Sequence, residues 1–114
     1  MMRTLRRYVL FPAIVTLRLF FAGSDAASDD SFAVRAAGGR FEPAELVVPA
    51  GAAFKVVVTN AGEAPIEFES FELHRERVVQ PGDTITVFVP ALAPGTYKFF
   101  DDFHPDTEGM IVAK

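Results

Sequence analysis

The sequence of 114 residues contains no cysteine and no tryptophan. The absence of cysteine excludes disulfide bridges, cysteine-based zinc or iron–sulfur sites, a thiol nucleophile and a copper–thiolate bond. Any bound metal ion must therefore be held by oxygen, imidazole or thioether groups. The chain also lacks a cluster of basic residues after its first eighteen positions, and phosphate binding requires such a cluster. This argues against nucleic acid as a partner.

Long helical patterns and common catalytic motifs are also missing. After the first thirty residues, no stretch keeps the 3.6-residue apolar period of a helix. The sequence contains no phosphate-binding loop, no nucleophile elbow and no HExxH motif. A chain of this length forms one domain, since single hydrophobic cores serve roughly 100–150 residues. Enzyme classes other than metal redox chemistry therefore find no support.

The first 26 residues have the pattern of a secretory signal peptide. Three arginines lie in residues 1–7, a mostly apolar run follows at 8–17, and a small-x-small sequence ends at Ala26. We predict cleavage after Ala26, a flexible tail over 27–31 and a domain over 32–114. Pro12 and Arg18 interrupt the apolar run, which argues against a permanent membrane helix. If the leader is not cleaved, it would anchor the protein in the membrane.

Removal of the leader makes the chain strongly acidic. Residues 27–114 contain seven basic and fourteen acidic side chains. This excess suits a bound cation or a basic partner. It is equally the ordinary charge that keeps a small protein soluble.

The domain reads as short strands separated by turns. β-Branched and aromatic residues alternate with polar ones, and Pro-Gly, Asn-Ala-Gly and Gly-Gly sequences interrupt them every 8–12 residues. This spacing is typical of an antiparallel β-sandwich of seven or eight strands. The predicted strands are 32–36, 46–48, 54–59, 66–71, 77–79, 85–89, 96–100 and 109–113.

The order of these sequence elements resembles a small cupredoxin. The resemblance is carried by the following segments: Phe41-x-Pro43, LVVPAG at 46–51, VVVTN at 56–60, PG at 81–82, PGTYKF at 94–99 and DDFHPDTEGMIVAK at 101–114. It covers nearly all of residues 32–114. It implies an all-β, cupredoxin-like Greek-key β-sandwich with a metal site at one end.

The sequence departs from blue-copper cupredoxins at the metal ligands. By resemblance, Asp101 stands where the copper-binding cysteine would be, His104 matches the second histidine, and Met110 falls near the axial methionine. The region of the first histidine, 65–69, contains no imidazole. A type 1 blue copper site is therefore not expected.

The residues that replace these ligands can themselves bind metal. Glu67 and Glu69 are two apart on a predicted strand, so they share a face. The resemblance places the last loop, with its acidic residues and His104, beside them. Carboxylates with an imidazole suit iron or copper(II), so we predict a copper or iron site. Its candidate ligands are Glu67, Glu69, Asp101, Asp102, His104 and Met110.

Each candidate also has a purely structural interpretation. Two glutamates at strand spacing can simply form a solvated face, and Asp101-Asp102 can cap backbone amides in a turn. Met110, entering the last strand, can belong to the core. Further candidates are weaker: His74, Glu72 and Glu76 are predicted to be exposed in a charged turn, although either glutamate could form a second acidic site, and Glu42 lies in a separate turn.

The acidic pattern EFESFEL, followed by RERVV-x-PG and FFDDFHP, is similar to the EfeO-type cupredoxin-like family of bacterial iron-uptake systems. This resemblance implies a periplasmic accessory of ferrous iron uptake that binds copper or iron beside an inner-membrane iron permease. It leaves open a ferroxidase activity. The alternative is a metal-free sandwich that serves as a docking module for a membrane partner.

Overall fold

A computed structural model describes residues 30–114, which form nine β-strands and no helix. No helix long and apolar enough to cross a membrane occurs in this part of the chain. The predicted leader, 1–26, lies outside it. The strands are β1 (Ser31–Ala37), β2 (Arg40–Glu42), β3 (Glu45–Val48), β4 (Phe54–Asn60), β5 (Ile66–Ser70), β6 (Arg75–Val79), β7 (Thr84–Val89), β8 (Gly95–Asp101) and β9 (His104–Ala113).

The strands form two sheets, which confirms the predicted all-β sandwich. One sheet has four strands in the order β2-β1-β4-β7, and the other has five in the order β3-β9-β8-β5-β6. Two pairs are parallel, β1 with β4 and β3 with β9, and the remaining pairs are antiparallel. Strand β5 therefore lies between β8 and the edge strand β6.

Alternating apolar residues of the two sheets fill the core. In β4, Val56 and Val58 are fully buried, while the residues that alternate with them along the strand are half-buried. The rings of Phe41, Phe68 and Phe99 meet in the centre, with the Phe68 and Phe99 rings stacked at 5.1 Å. This aromatic group attaches β2, β5 and β8 to one another and fixes the position of β5.

The largest departures from the predicted strands are an additional strand, β2, which brings the number to nine, and a longer β9. Strand β2 has only three residues and follows a turn at Gly38 and Gly39, both with positive φ. It pairs with β1, but three residues are too few to show the alternation of a strand in the sequence. Strand β9 begins at His104 rather than at 109 because its first part pairs with the end of β8 across a bulge. The predicted last loop is therefore a tight turn.

Candidate metal centre

Glu67 and Glu69 face away from the core although they belong to a buried strand. In β5, Ile66, Phe68 and Ser70 point into the sandwich, so the two glutamates lie on the outer face of the five-stranded sheet. They are nevertheless only 9% and 8% exposed. The structure thus brings the two predicted carboxylates together in a place where water reaches them poorly.

A third carboxylate, that of Glu76, joins them from the neighbouring strand. Glu76 is directly opposite Glu69 in the β5–β6 pair. Carboxylate oxygens of Glu67, Glu69 and Glu76 all lie within 4.8 Å of one another. The sequence predicts Glu76 in an exposed charged turn, with a second acidic site as the alternative, whereas the structure places it within strand β6. The hairpin register could have revealed it, since a four-residue connection at 71–74 sets residue 69 opposite residue 76.

The proximity of these acids raises the pKa of Glu67 to about 7. The largest cause is a side-chain hydrogen bond with Glu76, followed by burial and by the charges of Glu76, Asp102 and Glu69. A hydrogen bond between two carboxyl groups requires that one of them carries the proton. Glu67 therefore keeps its proton to a higher pH than an ordinary glutamate, and a cation bound to this carboxylate would compete with that proton.

The three carboxylates lack a cationic partner within residues 30–114. The ion pairs of this region join Lys98 to Glu108 and His104 to Asp101. The guanidinium of Arg75, on the same strand as Glu76, donates to the backbone carbonyls of Leu73, His74 and Phe88.

One oxygen of the cluster is buried without any partner. Among the buried side-chain polar atoms of the described residues, only Oε2 of Glu69 makes no hydrogen bond. Leaving a buried carboxylate oxygen unsatisfied is costly, and native proteins rarely do so without a ligand or other compensation. The cluster therefore combines three acidic groups with a buried acceptor that receives no hydrogen bond.

Asp101 and His104 form a separate pair at one end of the sandwich. Asp101 is 2% exposed, and its Oδ1 accepts hydrogen bonds from the backbone N–H groups of Glu67 and Phe103. Its Oδ2 lies 2.8 Å from Nδ1 of His104. Both oxygens of Asp101 are thus engaged within the protein. The pair borders a cavity of about 220 Å³ that is also lined by Asn60.

The structure does not gather all six predicted ligands around one ion. Phe68 is opposite Asp101 in the β5–β8 pair, so Asp101 shares the inner face with Phe68, whereas Glu67 and Glu69 lie on the outer face. The candidate ligands therefore fall into separate groups on the two sides of the sheet. Asp102 remains near the cluster: its N–H donates to the Glu67 carbonyl, and its charge acts on the Glu67 carboxyl.

Met110 belongs to neither group. It is 42% exposed, pairs with Glu45 of β3 and with Lys98 of β8, and its N–H donates to the carbonyl of Ala44. It lies two strands away from β5 in the sheet order. Its expected position beside the other ligands rests on the resemblance to the axial methionine of blue-copper cupredoxins, and the long strand β9 carries it past them.

Known proteins resemble this chain in sequence and in fold. Residues 10–113 match the model of the cupredoxin-like domain. An uncharacterized protein of Rickettsia prowazekii (strain Madrid E) is 34% identical over 107 residues, which span 91% of this chain and 86% of that protein.

Solved structures with the same fold include a purple cupredoxin from Nitrosopumilus maritimus, with a TM-score of 0.58 and 20% identity over 75% of this chain and 100% of that one. Amicyanin from Paracoccus versutus has a TM-score of 0.60 and 17% identity over 75% of this chain and 82% of its own. At such identities the likeness shows the shared fold alone.

Proposed function

Because the chain belongs to the cupredoxin-like family, we propose that it is a metal-binding protein whose ion is held by Glu67, Glu69 and Glu76. The observation that carries this proposal is the buried, unpartnered Oε2 of Glu69 within a cluster of three carboxylates. A cation at this point would satisfy that oxygen and compete with the proton of Glu67.

The residues present do not fit a type 1 copper site. The chain has no cysteine to supply a thiolate. Asp101, at the corresponding position, already uses both oxygens to bind two backbone N–H groups and the His104 ring. No imidazole occurs in the strand that would supply the first histidine. The chain keeps the cupredoxin-like fold, and the proposed metal site lies on the outer face of the five-stranded sheet rather than at the position of a type 1 site.

Three carboxylates favour an ion that prefers oxygen ligands, such as iron, over copper(I). We infer that the protein is an exported, periplasmic accessory of ferrous iron uptake that presents iron to a membrane permease as cargo. Glu76 is exposed while Glu67 and Glu69 are buried, so an ion can enter from solvent and reach the inner two ligands. Oxidation of the iron is not part of the proposal, since it requires an electron acceptor.

Anaerobic calorimetric titration with Fe(II) tests the proposal. The protein, Glu67→Gln and Glu69→Gln are compared with Glu45→Gln, a matched control. Glu45 is an exposed glutamate on the outer face of the same sheet, on β3. We expect micromolar or tighter binding by the protein and by the control. Each cluster variant should bind at least about tenfold more weakly, a loss of about 1.4 kcal/mol.

The opposite result has a clear meaning. Equal affinity in all four proteins would remove the cluster as the binding site. If the unsubstituted protein binds neither Fe(II) nor Cu(II), the metal-free docking module becomes the better account. The exposed ring of Phe71, which packs against Phe100 at 5.2 Å next to the cluster, would then be the first place to seek a partner.

A further inference from the structure

His74 lies beside the carboxylate cluster, at the end of the turn between β5 and β6. Glu69, Glu76 and His74 line the same surface depression, which has a volume of about 390 Å³. The backbone groups of His74 are engaged, its N–H with Phe71 and its carbonyl with Arg75. Its ring nitrogens make no hydrogen bond or ion pair within residues 30–114. The imidazole is therefore free to bind a ligand in this depression.

The turn that carries His74 is held firmly. Leu73 is buried in the core, and its N–H donates to Oγ of Ser70. The same hydroxyl donates to the carbonyl of Lys98 on β8. A ligand presented from such a turn needs little additional ordering when an ion binds, which favours binding.

His74 also has an unusual backbone conformation. With φ of 53°, it is the one non-glycine residue of the described region in the left-handed range. Histidine, asparagine and aspartate adopt this range more readily than other non-glycine residues. Such conformations concentrate at binding and catalytic sites, where the surroundings maintain them. A histidine at this turn position is consistent with a function for its ring.

We propose that His74 is a fourth ligand to the ion held by Glu67, Glu69 and Glu76, an inference that rests on the proposed function. The imidazole is not among the groups that lie within 4.8 Å of one another. Rotation about its side-chain bonds completes the site when the ion enters. The ion then has three carboxylate ligands and one nitrogen ligand.

The nitrogen ligand determines which ions the site prefers. Carboxylates alone suit Mg(II), Ca(II) and Mn(II), whereas imidazole adds affinity for iron, copper, nickel and zinc. His74 therefore directs the site toward transition-metal ions and away from Mg(II) and Ca(II), which are abundant around a cell. His104 cannot do this for the same ion, because its ring is held by Asp101 on the other side of the sheet.

Titration with Co(II) and with Ca(II) tests the inference. Co(II) serves as a spectroscopic substitute for Fe(II), and its visible absorption responds to nitrogen coordination. His74→Asn removes the imidazole but keeps a residue that accepts positive φ. His104→Asn makes the same change at the other histidine and is the matched control. We expect His74→Asn to weaken Co(II) binding about tenfold and to alter its absorption, while Ca(II) affinity stays unchanged.

The possible results separate the two proposals. Equal Co(II) affinity and absorption in His74→Asn and the unsubstituted protein would overturn the role of His74 and leave the carboxylate site intact. An equal loss of Co(II) and Ca(II) affinity would also overturn it, because His74 would then act only by shaping the turn. Failure of the unsubstituted protein to bind either ion would overturn the proposed function itself.

Discussion

At the scale of single residues, the unusual feature is a glutamate with a raised pKa on the outer face of a sheet. The folded protein raises the pKa of Glu67 from 4.5 to about 7, chiefly through the hydrogen bond with Glu76 and through burial. Between these two values the folded state binds more protons than the unfolded state. The contribution of Glu67 to stability therefore falls as pH rises through this interval. The loss of stability that Glu67 causes at higher pH indicates that this residue serves binding rather than folding.

This cost predicts a pH-dependent effect of Glu67→Gln on the chelator-treated protein. The difference in unfolding temperature between the variant and the unsubstituted protein should be smallest near pH 4, where Glu67 is mostly protonated in both states. Near pH 8 the variant should be more stable, because it lacks the buried negative charge. Thermal unfolding followed by circular dichroism across this pH range measures the difference. A constant difference across the range, or one of the same size in Glu45→Gln, would contradict the raised pKa.

At the scale of the strands, the close packing of β8 against β9 holds the centre of the five-stranded sheet. Gly109 of β9 is opposite Phe99 of β8. A Cβ added at Gly109 would lie 2.2 Å from Cζ of the Phe99 ring. Phe99 is fully buried and stacks on Phe68, the inward neighbour of Glu67 and Glu69. Any larger residue here therefore forces the buried ring or the strand to shift.

We therefore expect Gly109→Ala to destabilise the domain by about 1–3 kcal/mol, the usual range for an overpacked core. Urea unfolding measures the change. Combining it with Phe99→Leu, which removes the ring, should give a smaller loss than the sum of the two single variants. If the two losses of stability are additive, the Phe99 ring is not the reason that position 109 requires glycine.

The strands themselves could be predicted from the sequence better than the contacts between them. The sequences FKVVVT at 54–59 and ITVFV at 85–89 have the pattern of strands, and they form β4 and β7. Buried and less buried residues alternate there because each strand has one face in the core. The pairing of Glu76 with Glu69 depends on hairpin register, and Glu76 was assigned to an exposed turn. The placement of Asp101 on the opposite face depends on a pairing between strands 34 residues apart, which local pattern does not encode.

At the scale of the whole molecule, the outer face of the five-stranded sheet concentrates negative charge. Its outward side chains on β3, β5, β6 and β9 include Glu45, Glu67, Glu69, Glu76 and Glu108. In the described part of this face the positive charge comes from Lys98, which is already paired with Glu108. The potential of this face therefore attracts cations toward the cluster.

An ion bound there should stabilise the folded protein as a whole. Binding to the folded state alone adds about 2.7 kcal/mol when the free ion is present at about one hundred times its dissociation constant. Fe(II) under anaerobic conditions should therefore raise the unfolding temperature of the protein and of Glu45→Gln. Glu69→Gln should show little or no increase at the same concentration. An equal increase in all three would place the ion elsewhere.

The most direct test of the central claim is the position of a bound ion in crystals of the protein grown with Mn(II), located by anomalous scattering. The account predicts a peak within coordination distance of carboxylate oxygens of Glu67, Glu69 and Glu76. A peak at His104 and Asp101 with none at the cluster would contradict it. An anomalous difference map without any peak near β5 and β6 would also contradict it.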